Sequence, residues 1–317
     1  MAVAGACLQS IPVELSTDDV ADALRGVGYD PNDVVAAGAG AWSSCFAFRA
    51  EGRDLVVRFG PYLEDFEKDR FAARFSCAAM PVPHVEMADA VGDGFLVVSA
   101  RALGVPLEEV SRPEWERLVP AIVELLEALR TAEIPAGGFG GWDGAGIATD
   151  TGWPNHLLAV RGSTGDRRPA DWYDRLSERP VVRAAFDAGY ARLAGLDLSA
   201  APRSLIHADL INRNVHVVDD HVTGVFDWGC GRYGDHLYDA AWFEFWAPFH
   251  PHLDIDLILT QLRHRWTDAG VDISAEEPRR LACLLHIGLD HIAYNTTRAA
   301  WTDVDDVVAR MHDLRLV

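Results

Sequence analysis

A chain of 317 residues with a hydrophobic fraction of 49% is long enough for one large domain or two lobes with ample core, and a charged fraction of 24% is that of a globular rather than a membrane-embedded protein. No apolar run reaches the roughly 18 to 20 residues that cross a bilayer, and "LACLLHIGL" (281–289) is short and holds a histidine. Lys plus Arg total 28 against 48 Asp plus Glu, and the net charge of −20 repels nucleic acid and anionic membrane surfaces while attracting cations.

The opening "MAVAGACLQSIPVEL" lacks a basic start and does not read as a secretion signal. Cys7, Cys45, Cys77, Cys230 and Cys283 form no CxxC, so neither a zinc ribbon nor a disulfide framework is expected, and free thiols suit a cytoplasmic location. The first hundred residues alternate turns with β-prone runs: "SCFAFRA" (44–50), "DLVVRFG" (54–60) and "GFLVVSA" (94–100) read as strands. Between the last two, 61–80 reads as one helix, closed by "PVPHV" (81–85). Helical patterns then dominate, at 112–132, 181–195, 236–247, 253–269, 275–294 and 303–314, and the glycine-rich "PAGGFGGWDGAG" (135–146) reads as a loop. The expectation is an α+β chain with a small β-rich lobe over 1–100, a hinge near 98–104 and a larger helical lobe over 105–317.

One stretch concentrates polar chemistry. In "IHADLINRNVHVVDDHVTGVFDWG" (206–229) two β-prone runs, 214–218 and 222–226, flank a turn at 219–221, and centring that turn sets Asn214 opposite Asp227. An amide oxygen and a carboxylate held there suit magnesium, and Asp209, five residues before Asn214, is placed to accept a hydroxyl proton. Read singly, Asp209 and Asn214 also suit loop caps and Asp227 a strand end; the combined spacing favours phosphoryl transfer. A rival reading makes His207 and Asp209 ligands of zinc or iron, but no third ligand with suitable spacing follows in that loop.

At the front, "GAGAWSSCF" (38–46) offers a glycine turn for phosphates, and Arg58 on the next strand is either a solvent-facing arginine or a phosphate clamp. Asp69, or else Glu67, can pair with Arg58. No GxxxxGK[ST] occurs. Lys68 is the single lysine of the chain.

"IHADLINRN" with "VFDWG" resembles the aminoglycoside phosphotransferase family, relatives of protein and choline kinases, and similar segments run through "KDRF" (68–71), "PVPHV", "GIATDTGW" (146–153) and "IGLD" (287–290). Within the family the similarity is to the kinases of hygromycin B. The resemblance implies a bilobal protein-kinase-like fold with ATP between the lobes, GTP remaining open, and Mg2+ as the metal. It makes Asp209 the catalytic base, Asn214 and Asp227 the magnesium ligands and His207 a brace of the catalytic loop. Gly40 and Ser43 would belong to the phosphate loop, Arg58 with Asp69 to the nucleotide grip, and Ser99 and Ala100 to the hinge facing adenine. Two departures stand out: arginine occupies the strand position where kinases usually carry lysine, and Ser43 replaces the last glycine of the loop.

On the acceptor side, "YGDHLYDAAWFEFWAPFHPHLD" (233–254) and "RRLACLLHIGLDHIAYN" (279–295) combine acidic and aromatic residues. Asp235, Glu244 and Asp290 are the expected contacts of a cationic small-molecule acceptor, with loop fixing by Asp235 and Asp239, and core packing by the rings, as the open alternatives. The expected activity is inactivation of an aminoglycoside-type antibiotic, hygromycin B first among them, by a monomer, a dimer being left open. A metabolic kinase for an amino alcohol, amino acid or sugar and a catalytically silent binding module are the other readings.

Overall fold

The structure, a computed structural model, describes residues 15–39, 43–162, 167–271 and 276–317. Five antiparallel strands form the N-terminal sheet: β1 (Asn32–Ala39), β2 (Ser44–Ala50), β3 (Arg53–Gly60), β4 (Val85–Val91) and β5 (Gly94–Ala100), in the order β1-β2-β3-β5-β4. Strand alternation gathers Phe46, Phe48, Leu55, Val57, Leu96 and Val98 on one face, where helix α1 (Thr17–Gly26) adds Val20 and Leu24. Helix α1 starts on a capping box, Ser16 Oγ accepting the Asp19 N–H and Asp19 accepting the Ser16 N–H. The opposite face takes helix α2 (Leu63–Ala72) through Phe66, packed with Val85 and Val97.

Helix α2 is shorter than the 61–80 expected. After a 3-10 turn at Ala73–Phe75 the chain reverses at Ser76, whose hydroxyl accepts the Val82 N–H at 3.0 Å. Strand β4 escaped the pattern reading because its "VEMADAV" is rich in residues that strands disfavour, and it exists by pairing with β5 at the sheet edge.

The remainder is mostly helical. Helix α3 (Arg112–Thr131), capped by Ser111 and Glu114, lays Trp115, Leu118, Ile122, Leu125 and Leu129 into the large core. Around it stand α4 (Trp153–Leu158), α5 (Trp172–Arg175), α6 (Pro180–Ala194), α7 (Leu237–Trp246), α8 (Ile255–Asp268), α9 (Glu276–Thr297) and α10 (Trp301–Asp313). Among the described residues no helix is long and apolar enough to cross a membrane.

Two small sheets sit between the N-terminal sheet and the helices. One orders β11 (His221–Val225), β10 (Val215–Val218) and β6 (Val105–Pro106); the other orders β8 (Ala148–Asp150), β7 (Phe139–Trp142), β12 (Arg232–Gly234) and β9 (Ser204–Ile206). The glycine-rich 135–146 segment is therefore not all loop. A Cβ on Gly138 would lie 2.3 Å from the Ala148 carbonyl oxygen, so glycine lets β7 come close to β8 while Trp142 is buried.

The hairpin register also differs by one residue from the centred estimate. Val215 faces Val225 and His216 faces Gly224, a bulge follows, and Val218 faces His221 across Asp219–Asp220. The Asn214 carbonyl thus accepts the Phe226 N–H at 3.1 Å, and Asp227 lies one residue past the ladder.

Candidate active site

Strand β9 delivers the chain into a loop that bends twice through left-handed backbone, at Ala208 and Arg213, each with φ of 64°. A non-glycine residue in that region costs about 1–2 kcal/mol. Each bend is pinned by a carboxylate. Asp239, buried in the first turn of α7, accepts the His207 N–H at 2.9 Å and the Ala208 N–H at 2.8 Å. Glu108 accepts the Arg213 N–H at 2.6 Å. Hydrogen bonds to a charged group contribute about 1.5–3 kcal/mol, which outweighs the strain. Glu108 was invisible in the sequence, since nothing in its spacing links it to a residue 105 positions later.

His207 is fully buried, its ring edge-on to Trp228 at 4.7 Å, and burial pushes its pKa down to about 4. The neutral ring uses Nε2–H to donate to the Phe226 carbonyl at 3.0 Å. It thereby ties the loop to the residue before Asp227.

Asp209 and Asn214 meet directly. Asn214 Nδ2 donates to the Asp209 carbonyl at 2.9 Å and to Asp209 Oδ2 at 3.1 Å, and Asn212 Nδ2 adds a bond to the same Oδ2 at 3.0 Å. Among the described residues no protein donor reaches Asp209 Oδ1 or Asn214 Oδ1. Burial, helped by the charge of Asp227, raises the Asp209 carboxyl well above the usual range. Asp227 has left-handed backbone (φ 63°, ψ 63°); its carboxyl is pushed up to about 6 by burial and by neighbouring Asp69, against the pull of Arg58.

From the N-terminal sheet, Arg58 on β3 pairs with Asp69 on α2 and stacks over Phe66, 5.3 Å from the ring centroid. Burial opposes its charge, and Asp69 with Asp227 more than offset that. The other Asp69 oxygen accepts the Trp228 N–H at 2.7 Å, so one carboxylate links the arginine to the turn after Asp227. Lys68, also buried, donates to the Gly229 carbonyl at 2.8 Å. Gly40 lies outside the described residues; Ser43 is half-buried just before β2. Ser99, buried in β5, stands opposite Val56 and Val85. The backbone donors beside it are taken: Ala100 N–H bonds to His84 and Arg101 N–H to Asp54, leaving Ala102 as the first N–H past the strand without a protein acceptor among the described residues.

The acceptor-side residues separate. Asp235 is fully buried, its Oδ2 2.9 Å from Arg279 and its Oδ1 accepting the Leu237 N–H at 3.1 Å. It fixes the start of α7, the alternative left open beside an acceptor contact, and its carboxylate has no exposed surface. Glu244 pairs with Arg280 and faces α8, lining a pocket with Leu262 and Trp266; the structure does not bring it to Asp290. Tyr238 and Trp242 are buried core rings on the α9 side of α7.

Asp290 pairs with Arg168 and is about a quarter exposed. Burial works against its charge, yet Arg168, His286, Arg232 and His291 hold its carboxyl far below the usual range. Beside it, His156 Nδ1 lies 2.9 Å from Asp150 and its Nε2 is 3.4 Å from Arg232 Nη1. Asp150, His156, Arg232, Asp290 and His291 thus form a partly exposed polar surface. Exposed Cys230 joins it to the reaction centre, its thiol pushed up to about 12 by burial and then by Asp209, with Arg232 opposing.

The profile of the phosphotransferase enzyme family matches residues 33–271. A hygromycin-B 4-O-kinase of Escherichia coli is 27% identical over 278 residues, spanning 85% of this chain and 78% of that protein. A thermostable mutant of aminoglycoside phosphotransferase APH(4)-Ia, solved as a ternary complex with AMP-PNP and hygromycin B, matches with a TM-score of 0.78 at 26% identity, over 92% of this chain and 96% of that one. Spectinomycin phosphotransferase APH(9)-Ia, solved with ADP and spectinomycin, shares the fold at 10% identity, with a TM-score of 0.61 over 96% and 100% of the two chains.

Proposed function

The chain belongs to the phosphotransferase enzyme family, and on that premise we propose that it transfers the terminal phosphoryl group of ATP to a hydroxyl of a cationic aminoglycoside, hygromycin B being the acceptor its relatives suggest. The observation that carries this reading is the bond from Asn214 to Asp209 in a loop tied by backbone and by His207 to the residue before Asp227. In this reading Asp209 uses Oδ1, the oxygen no protein donor occupies, to orient the acceptor hydroxyl and take its proton as the phosphorus–oxygen bond forms. Its raised pKa makes it a better base than an exposed carboxylate.

The residues fit the magnesium that the family implies. Asn214 spends its amide nitrogen on Asp209 and keeps Oδ1 for a cation, while Asp227 is short of positive charge; Asn214 and Asp227 would hold the ion. Bound there, magnesium would neutralise charge on the phosphate oxygens. Arg58, fixed by Asp69, steadies the nucleotide phosphates, with Ser43 on the strand-linking loop. Ala102, rather than Ala100, offers adenine a backbone donor at the hinge between the 1–100 lobe and the rest.

For the acceptor, Asp150 and Asp290 are the partly exposed carboxylates of the polar surface around His156 and Arg232, and the net charge of −20 draws a cation toward them. The test is Asp209→Ala with labelled ATP and hygromycin B. Turnover is expected to fall by on the order of 10³-fold while nucleotide affinity stays; unchanged turnover removes Asp209 from the reaction. Absence of labelled hygromycin B with the parent protein, alongside a labelled amino alcohol or sugar, transfers the reading to a metabolic kinase.

A further inference from the structure

We propose that Lys68 is a positioning residue for the turn that carries Asp227. The inference rests on the phosphotransfer reading for the role of Asp227, and otherwise on geometry alone.

Two consecutive residues of α2 grip backbone groups of two consecutive residues of that turn. Asp69 accepts the Trp228 N–H at 2.7 Å, and Lys68 Nζ donates to the Gly229 carbonyl at 2.8 Å. The turn needs holding. Asp227 sits in left-handed backbone, and carboxylates crowd it: a Cβ on Gly229 would lie 3.3 Å from Asp65 Oδ1 and 3.5 Å from Asp227 Oδ1. Asp65, though paired with Arg167, and Asp227 thus flank the same residue, and like charges there favour a turn whose backbone is fixed from another side.

Lys68 supplies that fixing at evident cost. It is only 8% exposed, so its long stem is ordered and its ammonium is largely removed from water, returned in part by the face of Trp142, 5.5 Å away. Arginine fills the other 27 of the 28 Lys and Arg positions (28 − 1). A compact ammonium suits one carbonyl in a narrow space, whereas a planar guanidinium brings five donors that would need partners there. The choice of lysine at this place therefore follows from the turn it serves.

The test compares the parent protein with Lys68→Met, which keeps an unbranched stem beside Trp142, by calorimetric titration with ADP, with and without magnesium. Metal-free ADP is expected to bind alike, while the tightening that magnesium gives falls roughly 10- to 100-fold, with kcat falling in the same range and the acceptor KM steady within about two-fold. Tightening retained in full overturns the proposal. So does an equal loss in metal-free ADP affinity and acceptor KM, which marks general damage.

Should Lys68→Met fail to fold, the intact protein gives a second reading. With ¹⁵N-lysine, the side-chain ammonium signal comes from this residue alone. It is expected to exchange slowly with water and to shift with ADP plus magnesium but not with ADP alone; a freely exchanging signal indifferent to magnesium overturns the inference. These readouts need no acceptor, so a failure of the aminoglycoside reading stays distinguishable from a failure of this one.

Discussion

Asp227 and Asp290 live under opposite charge. Asp227 shares its surroundings with Asp69 and Asp65, and its carboxyl rises to about 6 in spite of Arg58. Asp290 is enclosed by Arg168, Arg232, His286 and His291 and stays ionised in spite of burial. Sequence alone presents two aspartates near helical or strand ends. The difference teaches that a carboxylate awaiting a cation is recognised by the absence of protein countercharge, and one already compensated holds structure first.

The sharpest way to break this comparison is to neutralise each in turn. Asp227→Asn is expected to lower turnover by on the order of 10²- to 10³-fold, since its charge is what the nucleotide metal would meet. Its melting temperature without ligand should hold or rise, because a repulsion with Asp69 is removed. Steady-state kinetics beside thermal melts check both halves, and a large fall in melting temperature contradicts the charge assignment.

Asp290→Asn should behave in reverse. Removing the charge that faces Arg168, Arg232 and His286 weakens a partly buried cluster, and a loss of about 1–3 kcal/mol in urea unfolding is expected, with ADP affinity unchanged. A variant as stable as the parent would mean that the surrounding arginines find other partners.

The smallest effect concerns pH. His236 packs edge-on to Trp266 at 4.9 Å with neither ring nitrogen hydrogen-bonded, and burial, then Arg279, pushes its pKa down to about 3. The folded value lies below the unfolded one, so the folded chain favours the neutral ring, and stability is lost as pH falls from about 6.5 toward 3. At pH 5 this amounts to about 2 kcal/mol. His236→Phe should flatten that acid decline in melts between pH 7.5 and 5; an unchanged slope would assign it to other groups, such as His207.

What the sequence disclosed follows from how local each feature is. Strands 44–50 and 94–100 and helix α3 are written in periodicity and caps, and His207, Asp209 and Asn214 share one loop, so their grouping was legible. The hairpin register slipped by one because the bulge after His216 depends on the fit of two strands, which residue counting ignores. The partners of Asp290 and Lys68 lie 122 and 161 positions away, and only the fold announces such pairs. Glu244 and Asp235 likewise pair with Arg280 and Arg279 on a different helix, and the sequence does not announce those partners.

Exposed Cys230 carries a practical consequence. Thiol reagents attack the thiolate, and desolvation with the charge of Asp209 works against forming it at Cys230. Mild alkylation should therefore mark exposed Cys77 ahead of Cys230, so that dyes or spin probes can be attached before the thiol beside the reaction centre reacts. Raising the pH of the same treatment would turn a harmless label into an inhibitor.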